Sequence, residues 1–170
     1  MKETDQICLR SLLEKDLMIL HKWINDPEVI QYTNVFRPIS EMEQKEWFYS
    51  LHKNKNQHIF AIESKAKERI IGTCGLYDID PVSRKAELRI KIGDKEYWGH
   101  GTGTNAVKLL VEFGFSSLNL KKIWLKVMKD NIRAVKSYKK VGFIIEGELT
   151  KDMFINGEYK DILLMALIKK

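Results

Sequence analysis

The clearest periodicity in the chain lies between residues 85 and 92. Ala86, Leu88, Ile90 and Ile92 alternate there with Lys85, Glu87, Arg89 and Lys91. A period of two puts each set on its own face of a strand, so the pattern predicts a strand over 83–93 with one apolar and one polar face. Two more strand-like runs precede it, 57–64 and 69–80, the second with Gly72 and Gly75 as candidate bulges. The three predict an antiparallel meander. Earlier, 6–12 reads as a first strand. Leu17, Leu20 and Ile24, joined by Leu13 and Trp23, recur at helical spacing and predict a helix over 14–24. Asn25-Asp26-Pro27 ends it, and 28–32 suggests a short helical piece. Ser40, with Glu43 three residues on, is a capping box for a helix reaching about Lys53.

Beyond the meander, Val107, Leu110, Val111 and Gly114 form a helical stripe within 104–117, and 122–128 is an apolar-rich strand. Asp130 or Asn131 caps a helix that ends near Val141, with Gly142 just past its end. A long strand over 143–155 turns at Asn156-Gly157, the strongest hairpin signal present, into a return strand over 158–169. The strand–helix–strand segment in the second half must cross over, so the sheet is partly parallel there. The predicted class is α/β: a mixed, mostly antiparallel seven-stranded sheet with helices on both faces. No repeat or linker divides the chain, and 1–170 reads as one domain.

Composition narrows the setting. Apolar residues make up 44% and charged residues 31%, ordinary for a soluble fold with a proper core. No run of about 18 apolar residues exists, so no membrane span is expected, and residues 2–6 are polar, without a signal-peptide core. Cys8 and Cys74 form no CxxC pair and fit buried thiols in a cytoplasmic, reducing compartment. The net charge of +6 fits nucleic acid, a membrane surface or a small anion. The basic residues are dispersed rather than blocked, which favours the small anion. His21, His52, His58 and His100 show no metal-ligand spacing, so no metal site is expected.

One stretch points to such an anion. Trp98-Gly99-His100-Gly101-Thr102-Gly103-Thr104 sits between the period-two strand and the next helix. Glycines let successive backbone N–H groups turn inward as a nest, and a helix start adds free N–H groups and positive dipole. The spacing matches neither a Walker loop nor the dinucleotide fingerprint, and a merely flexible turn is the other reading. Further on, Asn131, Ala134, Tyr138 and Val141 share one helix face, with Tyr138 about 10 Å up the axis from Asn131. An elongated ligand beside this helix would meet an amide first and a phenol later. A core aromatic is the other reading of Tyr138.

With these residues in view, the segment from Glu87 through Phe143 resembles the coenzyme-A-binding half of the GNAT N-acetyltransferases. The matching residues are Ala86-Glu87-Leu88, the glycine stretch from Tyr97 to Thr104, and the run from Asn131 to Phe143. The likeness continues through Glu146-Gly147-Glu148-Leu149 and Phe154 to Tyr159. With Trp23, Asn25-Asp26-Pro27 and Tyr32, it is similar to the branch of ribosomal-protein N-terminal and spermidine acetyltransferases. Two places depart from the pattern: Trp98 stands where Gln or Arg usually opens the glycine motif, and His100 where this branch often has Lys.

The resemblance implies acetyl-CoA as co-substrate and transfer of its acetyl group to a primary amine. The pyrophosphate would rest on the amides of Gly99 to Thr104. The pantetheine arm would pair with the backbone of Ile90, Lys91 and Ile92 like an added strand, with Asn131 and Ala134 beside it. A backbone N–H near Ile92 would stabilise the tetrahedral oxyanion, and Tyr138 would protonate the departing thiolate. Glu87 is the first candidate to take the acceptor's proton; a salt bridge among Lys85, Arg89 and Lys91 is its other reading. Trp23, Tyr32, Trp47 and Tyr77 are candidates to line the acceptor pocket, each with a core role as the alternative. The acceptor would be a protein N-terminus, a polyamine or another small amine. A polyamine site needs carboxylates, for which Asp26, Glu28, Glu46, Asp152 and Glu158 are candidates. A homodimer is compatible with the resemblance. The competing hypothesis is a CoA- or nucleic-acid-binding module on the same fold, without transfer.

Overall fold

The computed structural model describes residues 3–170. The elements are β1 (Ile7–Arg10), α1 (Leu17–Ile24), α2 (Pro27–Ile30), α3 (Glu41–Ser50), β2 (His58–Ser64), β3 (Arg69–Asp80), β4 (Lys85–Ile92), α4 (Thr102–Ser116), β5 (Lys122–Met128), α5 (Ile132–Val141), β6 (Ile144–Ile155) and β7 (Glu158–Ile168). Short 3-10 turns precede α1, follow α3 and precede the glycine stretch.

The seven strands form one sheet in the order β1-β2-β3-β4-β5-β7-β6. The meander β2-β3-β4 is antiparallel, as are the β5–β7 and β7–β6 pairs. Only β4 and β5 run parallel, joined by the α4 crossover, and they pair over just three positions: Lys85 with Lys122, Ala86 with Ile123 and Glu87 with Trp124. Beyond Glu87, β4 stays paired with β3 and β5 with β7, but β4 and β5 no longer pair with each other. The two strands splay, and the edge of β4 toward Ile92 is open.

Local chemistry accounts for most boundaries. Ser40 Oγ accepts the Glu43 N–H at 3.2 Å while the Glu43 carboxylate accepts the Ser40 N–H at 3.0 Å, so the expected capping box starts α3. Asn156 and Gly157 take φ of 51° and 85°, the left-handed pair that a two-residue hairpin needs. Helix α5 ends at Gly142 with φ 110°.

Apolar side chains fill both faces of the sheet. On one, α4 and α5 cover Ile62, Leu76, Leu88, Ile123 and Leu125. On the other, Leu20, Trp23 and Val29 of α1 and α2 cover Ala61 and Ile70. Ala61 and Ile62 are neighbours in β2, so this strand is sandwiched.

Two expectations are corrected. Gly75 is not a bulge; the β2–β3 register runs straight through it. It is glycine because a Cβ there would come 2.8 Å from the His58 backbone oxygen on β2 and 2.9 Å from the Tyr77 ring. The register shifts fall beside Gly72 and between Tyr77 and Asp80, where Asp78 has φ 48°. Helix α4 begins at Thr102 rather than Thr104, because Gly101 already turns the chain at φ 79°. The charged face of β4 is only partly solvated: Lys85 and Arg89 are exposed. Glu87 is buried and Lys91 half-buried, since the layer from α1 to α3 lies on that side.

Candidate active site

The open edge of β4 is the frame of the site. The Gly93 N–H bonds to the Ile71 carbonyl at 3.0 Å, while Ile92 is the register partner of Gly72. Ile92 and Gly72 are therefore a non-hydrogen-bonded pair, and the Ile92 N–H and C=O point away from β3. By the same alternation Ile90 also presents both backbone groups to the open edge, whereas Lys91 bonds inward. Trp98 occupies one of these groups: its Nε1–H donates to the Ile92 carbonyl at 2.8 Å. The Ile92 N–H and both groups of Ile90 remain along the cleft.

At one end of this edge the glycine stretch forms a cradle. Gly99 and Gly101 have φ of 81° and 79°, a conformation that L side chains rarely adopt, and a Cβ at either would meet nothing within 4 Å. The chain thus turns its amides around open space. Gly101 is the N-cap of α4, and Asn105 is the first residue whose N–H returns to it, at 3.0 Å. The N–H groups of Thr102, Gly103 and Thr104 therefore have no partner in the helix. These features fit a diphosphate: several donors, positive dipole and no side chain in the way. His100 is exposed beside them.

The opposite wall is α5. Thr104 and Ser137 are linked Oγ to Oγ at 2.8 Å, which fixes α5 against the start of α4. Asn131 is the N-cap of α5, and its Oδ1 accepts the Ala134 N–H at 3.2 Å; the side-chain amide N–H groups are left over. Two turns on, Tyr138 is 9% exposed in the larger core, with the Phe143 ring 5.9 Å away. Burial pushes its phenol up to about 12, so it keeps its proton at any ordinary pH. No described residue hydrogen-bonds its hydroxyl.

On the far face of β4, Glu87 Oε2 accepts from Arg89 Nε at 3.0 Å and from Nη2. Arg89 also reaches Asp78 at 3.6 Å and lies 4.5 Å from the centre of the Tyr77 ring. Tyr77 is opposite Glu87 in the register, and burial raises its phenol to about 12. Trp23, 6% exposed, lies on the same side, against Gly93; a Cβ there would come 2.0 Å from its indole. Tyr77 from β3 and Trp23 from α1 thus lie on the Glu87 face of β4. Tyr32 is not tied to them: it follows α2, is 39% exposed, and shares no hydrogen bond or ring contact with them. Trp47 packs at the edge of the smaller core around Trp23. Of the carboxylates considered for a polycation, Asp26 and Glu28 pair with Lys95 at 2.9 and 2.8 Å, Glu158 with Lys160 at 2.8 Å, and Asp152 with Lys126 at 3.7 Å.

The family model described as an acetyltransferase (GNAT) domain matches residues 6–144. The chain belongs to the GNAT acetyltransferase family. It is 34% identical to the spermidine N(1)-acetyltransferase of Escherichia coli K12 over 174 residues, covering 99% of this chain and 89% of that one. The spermidine N(1)-acetyltransferase of Vibrio cholerae is 31% identical over 164 residues, 96% of this chain and 94% of that one. The Vibrio cholerae spermidine N-acetyltransferase crystallised with CoA and spermine superposes with a TM-score of 0.89 at 30% identity, covering 97% of this chain and 96% of that one.

Sequence reasoning missed one member of the GNAT cleft, Arg133, and it named the Arg89 pairing of Glu87 as an alternative. Arg133 stacks on Trp98 from the start of α5, its guanidinium carbon 4.7 Å from the ring centre. The i to i+4 spacing of Arg133 and Ser137 was the available signal, since it puts both on the face that meets α4. No group of three or more His, Cys, Asp or Glu suited to a metal occurs among the described residues.

Proposed function

We propose that this chain transfers an acetyl group from acetyl-CoA to a primary amine, with polyamines as the first acceptor class to test. What carries the reading is the open edge of β4 at Ile90 and Ile92, set between the glycine cradle and the helix that bears Tyr138. Acetyl-CoA would supply the activated acyl group. The amides of Gly99 to Thr104 hold its diphosphate, and Ile90 and Ile92 hold the pantetheine arm by strand-like pairing, with the Asn131 side-chain N–H groups and Ala134 alongside. The outward Ile92 N–H stabilises negative charge on the acyl oxygen. Tyr138, protonated throughout the working range, donates a proton to the leaving sulfur. Glu87 keeps Oε1 clear of Arg89, and this oxygen accepts the proton of the incoming amine, directly or through water. Trp23 and Tyr77 flank the acceptor's approach.

The polyamine class is supported by the relatives, which are named for spermidine. The competing binding-module reading finds less support. Lys67, Arg69, Lys95, Lys122 and Lys129 are each engaged by a carboxylate rather than gathered into a basic face for nucleic acid. Among the described residues no helix is long and apolar enough to cross a membrane. A cytoplasmic setting, a single domain over 1–170 and a homodimer belong to the same proposal; β6, an edge strand with Ile144 and Ile145 exposed, is where a second copy has most to cover. The test is release of CoA thiol from acetyl-CoA with spermidine, peptides with free N-termini and aminoglycosides. Amine-dependent release supports the reading, and tight CoA binding without release from any amine favours the binding module.

A further inference from the structure

Lys91 stands apart from the lysines that reach carboxylates. Its side chain is half-buried, and no described residue forms an ion pair or hydrogen bond with its ammonium group. On its face of β4 the neighbours are Arg89 and Gly93, each about 6.6 Å along the strand, and across the register it meets Thr73. The Trp23 ring covers Gly93, and the Tyr77 ring carries Arg89. Lys91 therefore rises between the two aromatic side chains that flank the acceptor's approach. Its own peptide lies between Ile90 and Ile92, whose outward groups form the open edge. A flexible four-carbon stem is long enough to bend back over that edge.

We propose that Lys91 is a self-acetylation site, an internal acceptor that takes the acetyl group when no amine substrate is present. The proposal rests on the acetyl-CoA reading given above. Neutral Nζ attacks the thioester carbonyl carbon; the N–C bond forms and the C–S bond breaks. Nζ gives up one proton, the sulfur leaves as a thiol with one, and amine plus thioester become amide plus thiol. Burial favours the reactive form: the Lys91 ammonium is drawn down to about 8, so about half is neutral at pH 8, against roughly 0.4% for an ordinary lysine. Acetylation removes a positive charge from the acceptor face, which favours a polycationic substrate afterwards.

The experiment incubates the full chain with acetyl-CoA and no amine, then follows intact mass and maps the modified peptide. Calorimetry with CoA runs in parallel. The expected result is a gain of one acetyl group, found on Lys91 at least tenfold ahead of exposed Lys22, Lys85 and Lys95, suppressed by excess CoA and absent in Lys91→Arg. Treatment with acetic anhydride, a donor that needs no CoA site, should instead label the exposed lysines first. Unmodified Lys91 in a chain that binds CoA overturns the proposal, as does labelling no faster than at exposed lysines. Failure to bind CoA removes the acetyl-CoA reading itself, and the proposal with it.

Discussion

Arg133 and Trp98 meet across the mouth of the cleft, the guanidinium carbon 4.7 Å from the centre of the indole ring. Trp98 is anchored by its bond to the Ile92 carbonyl, so it is a fixed platform rather than a loose surface ring. No described carboxylate pairs with Arg133, which leaves its N–H groups free beside the amides of Gly99 to Thr104. Trp98 replaces the polar residue that usually opens this motif, and Arg133 brings a charge to the same place from α5. Arg133→Ala should weaken CoA binding about tenfold, or ~1.4 kcal/mol, as expected for loss of a charge-assisted contact. Calorimetry checks this, with an unchanged kcat at saturating acetyl-CoA as the companion result.

The cradle depends on backbone shape rather than packing. A Cβ at Gly101 would touch nothing, so Gly101→Ala costs only the left-handed conformation, roughly 1–2 kcal/mol. Urea unfolding should show that modest loss, whereas CoA affinity should fall much further as the amides of the first turn of α4 rotate away. A variant that binds CoA normally would place the diphosphate elsewhere.

Glu87 and Arg89 separate two roles. If Glu87 Oε1 takes the acceptor's proton, Glu87→Gln lowers kcat about a hundredfold, in line with loss of a general base, while CoA affinity is kept. If Glu87 only anchors Arg89, then Arg89→Ala costs as much as Glu87→Gln. Steady-state rates of both variants with one acceptor decide between these.

The buried phenols set the alkaline behaviour. Tyr138 and Tyr77 are both raised to about 12 by burial, above an ordinary tyrosine near 10. Between about pH 10 and 12 the unfolded chain has lost phenolic protons that the folded chain keeps. The unfolded state then binds fewer protons, so stability falls as pH rises through that window. Below pH 10 both states are protonated and the two tyrosines contribute no slope. Urea midpoints from pH 8 to 11.5 should show the decline, and Tyr138→Phe should make it shallower.

Much of this was legible in the chain itself. Alternation from Lys85 to Ile92, the Ser40–Glu43 box and Asn156-Gly157 each encode structure through neighbouring residues, and each appears where local chemistry puts it. The place of β7 between β5 and β6 is a non-local pairing that no local pattern carries. Nor does any local pattern carry the short pairing of β4 with β5, three register pairs, that leaves the edge open. Alternation likewise assigned Glu87 and Lys91 to one face but could not tell that α1 and α2 would cover it. The stacking of Arg133 on Trp98 joins residues from two elements that only the folded cleft brings together.

The proposed transfer turns on Tyr138 giving its proton to the leaving sulfur. The most direct measurement is the rate of CoA thiol release by Tyr138→Phe with saturating acetyl-CoA and an accepted amine, alongside CoA affinity by calorimetry. The expected result is a fall of about a hundredfold or more in kcat, with CoA affinity kept. Turnover within twofold of the unsubstituted chain would contradict it.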